Sequence, residues 1–415
     1  MRYQIDKIAL LSGLIFLTGC ASFGKGIAEA FMEKQDNVDT RVCEITGDTF
    51  RGLKPQLEVP ERKMKVLMVH GVGNHLPGYS TQFLEMLAKE LDLTVTSKSD
   101  KNITLADPHH PAKKLGNLRI TRYLNNSKTQ ELLFYEYTWS EITAKEKEVL
   151  AYDNSGEQSF RRAEVNDLLK KFSNDTGPDP IIYLGGKREE ILAGFGQAFC
   201  WMISGDWHSL PDDVHQVCRP GNTAHFHNDS IAFVSHSLGS RITIDGLQRI
   251  AELKDKNETV LYDESVARIL KNKEVPIYMM SNQLPMLQLG RTLPAISNQY
   301  QAYCQADGAR YGERMLAKTS IIAFSDPNDL LSYSIPPKFV NKYLDSRLCI
   351  DVTNININVA KVYDAFGLGK LANPLDAHVG YDTDDRVIAL IAKGIGNENT
   401  ADIVKTRCRW IETVD

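Results

Sequence analysis

Five short apolar runs, separated by stretches of helical periodicity, restrict this chain more than any other feature. They fall at 66–70 (Val-Leu-Met-Val-His), 132–137 (Leu-Leu-Phe-Tyr-Glu-Tyr), 231–235 (Ile-Ala-Phe-Val-Ser), 276–280 (Pro-Ile-Tyr-Met-Met) and 320–324 (Ser-Ile-Ile-Ala-Phe). A strand that is apolar at consecutive positions has both faces covered, the condition of a parallel sheet sandwiched by helices. Gln82–Leu91, Arg241–Leu253 and Asp385–Lys393 carry apolar residues three and four apart, as amphipathic helices do. The expected fold is therefore α/β, with a mostly parallel central sheet flanked by helices.

The amino terminus carries a different signal. Arg2 and Lys7 precede an apolar run, Ile8–Leu17, which is too short to span a bilayer but matches the apolar region of a secretory signal. It ends in Leu17-Thr18-Gly19-Cys20, which resembles the lipobox of bacterial lipoproteins. That resemblance implies a signal peptide over 1–19, an acylated Cys20 as the mature terminus, and a membrane anchor made of acyl chains. Ala21 is not the aspartate associated with inner-membrane retention, so the implied location is the cell envelope at the outer membrane, on its periplasmic or surface face. Residues 20–60 then read as tether and extension, and 61–415 as the folded domain. The remaining six cysteines, Cys43, Cys200, Cys218, Cys304, Cys349 and Cys408, form the even set that disulfides leave in an exported chain. Cys200 with Cys218 is the expected local pair, and Cys43 is placed to pin the extension to the body. Their spacing does not suggest structural zinc. A net charge of -5 without a basic stripe argues against a nucleic-acid partner.

From His70 to Ser237 is 167 residues, whereas two βαβ steps need roughly 60. An insertion, about 141–220, is therefore expected before the strand that ends at Ser235. Within it, Ile191–Ile203 is apolar nearly all round. Either a helix buried in the body or a cap lining an acyl site would account for it.

The strand at 231–235 runs into Ser235-His236-Ser237-Leu238-Gly239 and then a helical pattern. This puts Ser237 at a strand-to-helix turn, the setting of a nucleophile elbow, with Ser235 and Gly239 as its small flanking residues. A serine hydroxyl needs a base, a group to orient that base, and donors for the oxyanion. Val66–Val69 leads into His70-Gly71-Val72-Gly73, an apolar strand entering a glycine-rich turn. In these motifs the chain resembles the α/β-hydrolase superfamily. The resemblance implies an α/β-hydrolase fold with a large cap-like insertion before the nucleophile strand, and an oxyanion hole formed by the N–H groups of Val72 and Leu238.

Downstream, Ile321–Phe324 enters Ser325-Asp326-Pro327-Asn328-Asp329-Leu330-Leu331. The resemblance favours Asp329 as the triad acid, with Asp326 as the alternate or as a turn cap. His378 is the one histidine after Asp329, and it precedes the helix Asp385–Lys393. The order Ser237, Asp329, His378 is that of the superfamily. Phe134–Trp139 and the elbow itself look more like lipase-related serine esterases than peptidases. The expected activity is thus hydrolysis of carboxylic esters, lipid or other acyl esters, through an acyl-enzyme and without a cofactor. A non-catalytic envelope lipoprotein using the same fold for binding is the alternative. His225-Phe226-His227-Asn228-Asp229 imitates the opening of a metallo-β-lactamase zinc motif, but Ser230 stands where that motif continues with histidine, so no metal is expected. His236 is expected to pack.

Overall fold

A computed structural model describes residues 43–150, 163–219, 224–255, 264–364 and 370–411. The signal segment, the lipobox and Cys20 lie outside the described residues.

The described strands, in chain order, are β1 (Cys43–Thr46), β2 (Lys63–Val69), β3 (Thr94–Ala106), β4 (Lys114–Leu124), β5 (Glu131–Thr138), β6 (Val214–Gln216), β7 (Ser230–His236), β8 (Glu274–Met280), β9 (Lys318–Ser325), β10 (Ile350–Ile357), β11 (Val362–Asp364), β12 (Lys370–Ala372) and β13 (Cys408–Trp410). The helices used below are α1 (Lys54–Leu57), α2 (Thr81–Glu90), α3 (Glu141–Lys147), α4 (Glu164–Thr176), α5 (Pro178–Leu184), α6 (Arg188–Ser204), α7 (Leu238–Asp255), α8 (Glu264–Leu270), α9 (Pro374–Val379) and α10 (Asp385–Lys393).

The main sheet has eleven strands in the order β13-β1-β10-β9-β8-β7-β2-β5-β4-β3-β6. Its centre, β5-β2-β7-β8-β9-β10, is parallel throughout. The fold is α/β with a mostly parallel mixed sheet flanked by helices. Alternate residues of β5, β2, β7, β8 and β9 enter opposite cores. Leu67 and Val69 of β2, Ile231 and Phe233 of β7, and Ile321 and Ala323 of β9 join α6 and α7 in one cluster. Val66 and Met68, Ala232 and Val234, and Ile322 and Phe324 join α2 and α10 in the other. Two buried faces explain why these strands are apolar without alternation. The outer strands differ: β3 and β4 form a long antiparallel hairpin with interspersed polar positions, which the apolar-run criterion passes over.

Ile191–Ile203 forms the core of α6, with every residue but Ala193 buried. This helix packs against β2, β3, β4, β5 and α7, and Phe195 and Phe199 stack on Phe233 with ring centroids 6.0 and 6.3 Å apart. It is a helix of the body. Gly246 of α7 faces the Phe195 ring and Gly194 faces the Tyr137 hydroxyl, so both glycines permit close approach where a methyl would collide.

Among the described residues three disulfides are present: Cys43–Cys408, Cys200–Cys218 and Cys304–Cys349. The Cys200–Cys218 pair is the local one expected from the sequence. The amino-terminal extension is part of the sheet from Cys43 onward: β1 pairs with β10 and β13, and its first residue is cross-linked to the first residue of β13. A buried charge cluster lies on α7. Asp245 is held by Arg241 (2.5 Å), Arg291 (2.7 Å) and the Tyr183 hydroxyl (2.7 Å). Burial pushes the Asp245 carboxyl up, but Arg241, Arg291 and Arg188 outweigh it and lower its pKa to about 2.

Candidate active site

Strand order reverses between β2 and β7: after β2 the chain builds β3 to β5 on one side, and after β7 it builds β8 to β10 on the other. In open α/β sheets such a reversal leaves a crevice at the carboxyl ends of the strands, where ligands bind. The expected site residues meet there.

Ser237 follows β7 and precedes α7. Its φ is 54°, a left-handed conformation that a non-glycine residue adopts only when the surroundings impose it. The Ser237 N–H donates to the Met280 carbonyl at 2.9 Å, and the Ser240 hydroxyl donates to the Ser237 carbonyl at 2.7 Å. These bonds fix the turn. Ser235 is fully buried and its hydroxyl donates to the Tyr278 carbonyl at 3.4 Å, so the serine in place of glycine is accommodated with its hydroxyl paired. What a side chain at Gly239 would strike first is the end of β2, the carbonyls of Val69 and His70. A methyl at Gly71 would lie 2.7 Å from the Ser237 Cβ. The elbow and the glycine turn are thus packed backbone against backbone.

The His378 Nε2 lies 3.2 Å from the Ser237 hydroxyl. On its other side, His378 Nδ1 donates to Asp329 at 2.9 Å (Oδ1) and 3.1 Å (Oδ2). This bond puts the proton on Nδ1 and leaves the Nε2 lone pair facing Ser237. Asp329 also accepts from the Leu331 N–H (2.9 Å) and the Ser281 hydroxyl (2.7 Å). Burial pushes its carboxyl up, yet the bonds from His378, Ser281 and Leu331 prevail and hold it below the usual carboxylate range. Asp326 faces elsewhere. Its oxygens accept from the N–H groups of Asn328 (2.8 Å), Val359 (2.7 Å) and Ala360 (3.1 Å), tying the β9 turn to the segment after β10.

Val72 and Leu238 supply N–H groups beside this constellation. Among the described residues neither donates to a protein acceptor. Leu238 opens α7, where the first amides of a helix lack intrahelical partners and the helix dipole favours negative charge. The turn bearing Val72 is held from two directions. The Gly73 N–H donates to Asp179 of α5 at 2.7 Å, and Asp179 is paired with Lys147 of α3 at 3.0 Å. Beneath the turn, His70 stacks on Trp139 with centroids 4.6 Å apart. His70 Nε2 accepts the Trp139 N–H (3.0 Å), so its Nδ1 carries the proton and donates to the Gly71 carbonyl (2.7 Å). Burial keeps this imidazole well below the usual histidine range, hence neutral.

Two residues take part that the sequence did not single out for the site. Ser281, directly after β8, stands between Asp329 and His378, 2.9 Å from His378 Nδ1 and donating to Asp329. Its position at the carboxyl end of the strand next to β7 is the signal that would have found it. His236 does more than pack: its Nε2 donates to the His378 carbonyl at 2.8 Å, tethering that residue's backbone. Burial lowers its pKa to about 3, so it stays neutral. Among the described residues no group of three or more histidine, cysteine, aspartate or glutamate side chains is placed to hold a metal ion. In the zinc-like stretch, Asp229 is paired with the buried Lys65 at 2.8 Å.

The arrangement can therefore move a proton from a serine hydroxyl to a pre-oriented imidazole, next to two free amide donors. Comparison with known proteins finds no matching family model, no matching curated protein and no matching solved structure.

Proposed function

We propose that the protein is a serine hydrolase of the α/β-hydrolase type that cleaves carboxylic esters through an acyl-enzyme. The observation that carries this reading is the chain of hydrogen-bond contacts Ser237–His378–Asp329, assembled from the ends of β7 and β9 and from helix α9, with Ser237 in a left-handed turn. In the proposed reaction His378 Nε2 takes the hydroxyl proton as Ser237 Oγ attacks the ester carbonyl. The N–H groups of Val72 and Leu238 stabilise the oxyanion. The tetrahedral intermediate collapses as His378 returns the proton to the departing alkoxide, and a water deprotonated by the same imidazole then releases the acid. Asp329 keeps the imidazole in the reactive tautomer throughout, and α3 to α5 act as the cap-like part of the insertion by holding the oxyanion turn.

An apolar acyl group is the favoured substrate feature. Exposed Leu76 follows the oxyanion turn, Leu330 and Leu331 follow Asp329, Val379 follows His378, and Leu289 lies in the segment after β8. Exposed large apolar side chains near the site residues in sequence suit water-insoluble esters, lipids among them. Acylation of Cys20 would hold the enzyme at the bacterial outer membrane, beside such substrates.

The test is covalent labelling with a fluorophosphonate probe, together with hydrolysis of p-nitrophenyl esters of graded chain length. Wild-type protein should label and turn over, and Ser237→Ala should do neither. Absence of labelling in folded wild-type protein would leave the non-catalytic envelope-protein reading in its place.

A further inference from the structure

At the opposite edge of the sheet from Ser237, the amino ends of β7 and β8 open into a cavity of about 760 Å³, within the range of small-ligand pockets. Its walls come from the segment around α1 and from α8. Four cations line it: Arg51, Arg62, Arg268 and Lys273. The carboxylates of the lining are Glu274 and Asp229, and Asp229 is already paired with the buried Lys65.

Among the described residues, neither Arg51 nor Arg62 has an ion-pair partner, and the Arg268 side chain reaches only the Glu264 carbonyl, at 3.4 Å. Lys273 is partly buried over the Phe226 ring, 5.0 Å from its centroid. Its ammonium donates to the main-chain carbonyls of His227 (2.8 Å) and Asp229 rather than to a carboxylate. Burial pushes the Lys273 amine down to about 8, with Arg62 and Lys65 adding to the effect against the pull of Asp229. A desolvated ammonium among other cations is an unfavourable arrangement that an anion would relieve.

We propose that this cavity is a binding site for a phosphate-bearing ligand, separate from the catalytic centre. Arginine offers paired donors that match phosphate oxygens, and lysine supplies a compact charge beside them. A multiply charged ligand is favoured because four cations face one unclaimed carboxylate. The phosphate is either free in solution or part of a lipid headgroup, and both sources have the same recognition chemistry.

The experiment is pulse acetylation of the purified full-length protein, with Lys273 modification read by mass spectrometry. Inorganic phosphate is compared with chloride at equal ionic strength. A parallel arm measures co-sedimentation with phosphatidylglycerol and phosphatidylcholine vesicles. Phosphate is expected to slow Lys273 acetylation at least about fivefold, with chloride having no such effect. Arg51→Gln and Arg62→Gln should each raise the phosphate concentration needed for that protection about tenfold. If phosphate fails to protect but phosphatidylglycerol vesicles do, and Arg51→Gln and Arg62→Gln lose that protection and the binding, the ligand is a lipid headgroup. Arg51 is exposed, so its replacement leaves the core packing unchanged, and denaturant unfolding of the variant checks that it folds. The proposal is overturned if neither phosphate nor phosphatidylglycerol protects Lys273, or if both variants respond as wild type does.

Discussion

Replacing Asp329 by asparagine separates the two aspartates of the β9 turn. In the wild type, Asp329 Oδ1 accepts from Leu331 N–H and His378 Nδ1, and Oδ2 accepts from the Ser281 hydroxyl and the same imidazole proton. Asparagine has one acceptor oxygen. With that oxygen on the Leu331 N–H, its NH₂ faces His378 Nδ1 and Ser281. Nδ1 then becomes the acceptor, the proton moves to Nε2, and Nε2 can no longer take the Ser237 proton. Two bonds to a charged acceptor are lost, each worth about 1.5–3 kcal/mol. The barrier should rise by about 3 to 6 kcal/mol, or between roughly a hundredfold and ten-thousandfold in rate. Asp326→Asn should do the opposite. It turns an NH₂ group onto donors that now bond to a carboxylate, costing about 2–4 kcal/mol of stability while leaving kcat within a few fold. Steady-state hydrolysis of a short-chain p-nitrophenyl ester, with denaturant unfolding of each variant, measures both quantities. If Asp329→Asn keeps more than about a tenth of wild-type kcat/KM, or if Asp326→Asn alone abolishes activity in folded protein, the assignment is wrong.

Gly71→Ala should cut kcat/KM while sparing most of the fold, because the new methyl sits 2.7 Å from the Ser237 Cβ and displaces either the nucleophile or the oxyanion turn; unchanged kinetics would contradict the packing. Asp245 has a folded pKa of about 2 against 3.8 unfolded, so its contribution is fully present above about pH 4 and is lost as pH falls toward 2. That contribution is about 2 kcal/mol, and in Asp245→Asn the slope of unfolding free energy against pH across this window should flatten while stability at neutral pH falls.

Much of the architecture was legible one strand at a time. Strands buried on both faces must be apolar throughout, so β2, β5, β7, β8 and β9 stood out from their local composition. The hairpin β3–β4 and strand β10 did not, because an antiparallel or half-covered strand admits polar residues and presents no continuous run. The serine, the acid turn and the histidine were legible for a similar reason: each follows a recognisable strand or precedes a recognisable helix.

Local sequence could not decide between Asp326 and Asp329, which lie three residues apart in one turn. Their roles are set by what approaches from elsewhere: His378 and Ser281 for one, the Val359 and Ala360 amides for the other. The same holds for Ser281, His236, Asp179 and Lys147, ordinary polar residues until chain crossing brings them to the site. Ile191–Ile203 shows the limit from the apolar side, since hydrophobicity requires burial but does not name the surface that provides it. Sequence by itself determined five central strands, the burial of both their faces and the reactive residue types, because these follow from short-range periodicity and turn chemistry. Only the tertiary structure decided the partners, because hydrogen bonding and packing between site residues as far as 142 positions apart depend on how the strands are ordered in space.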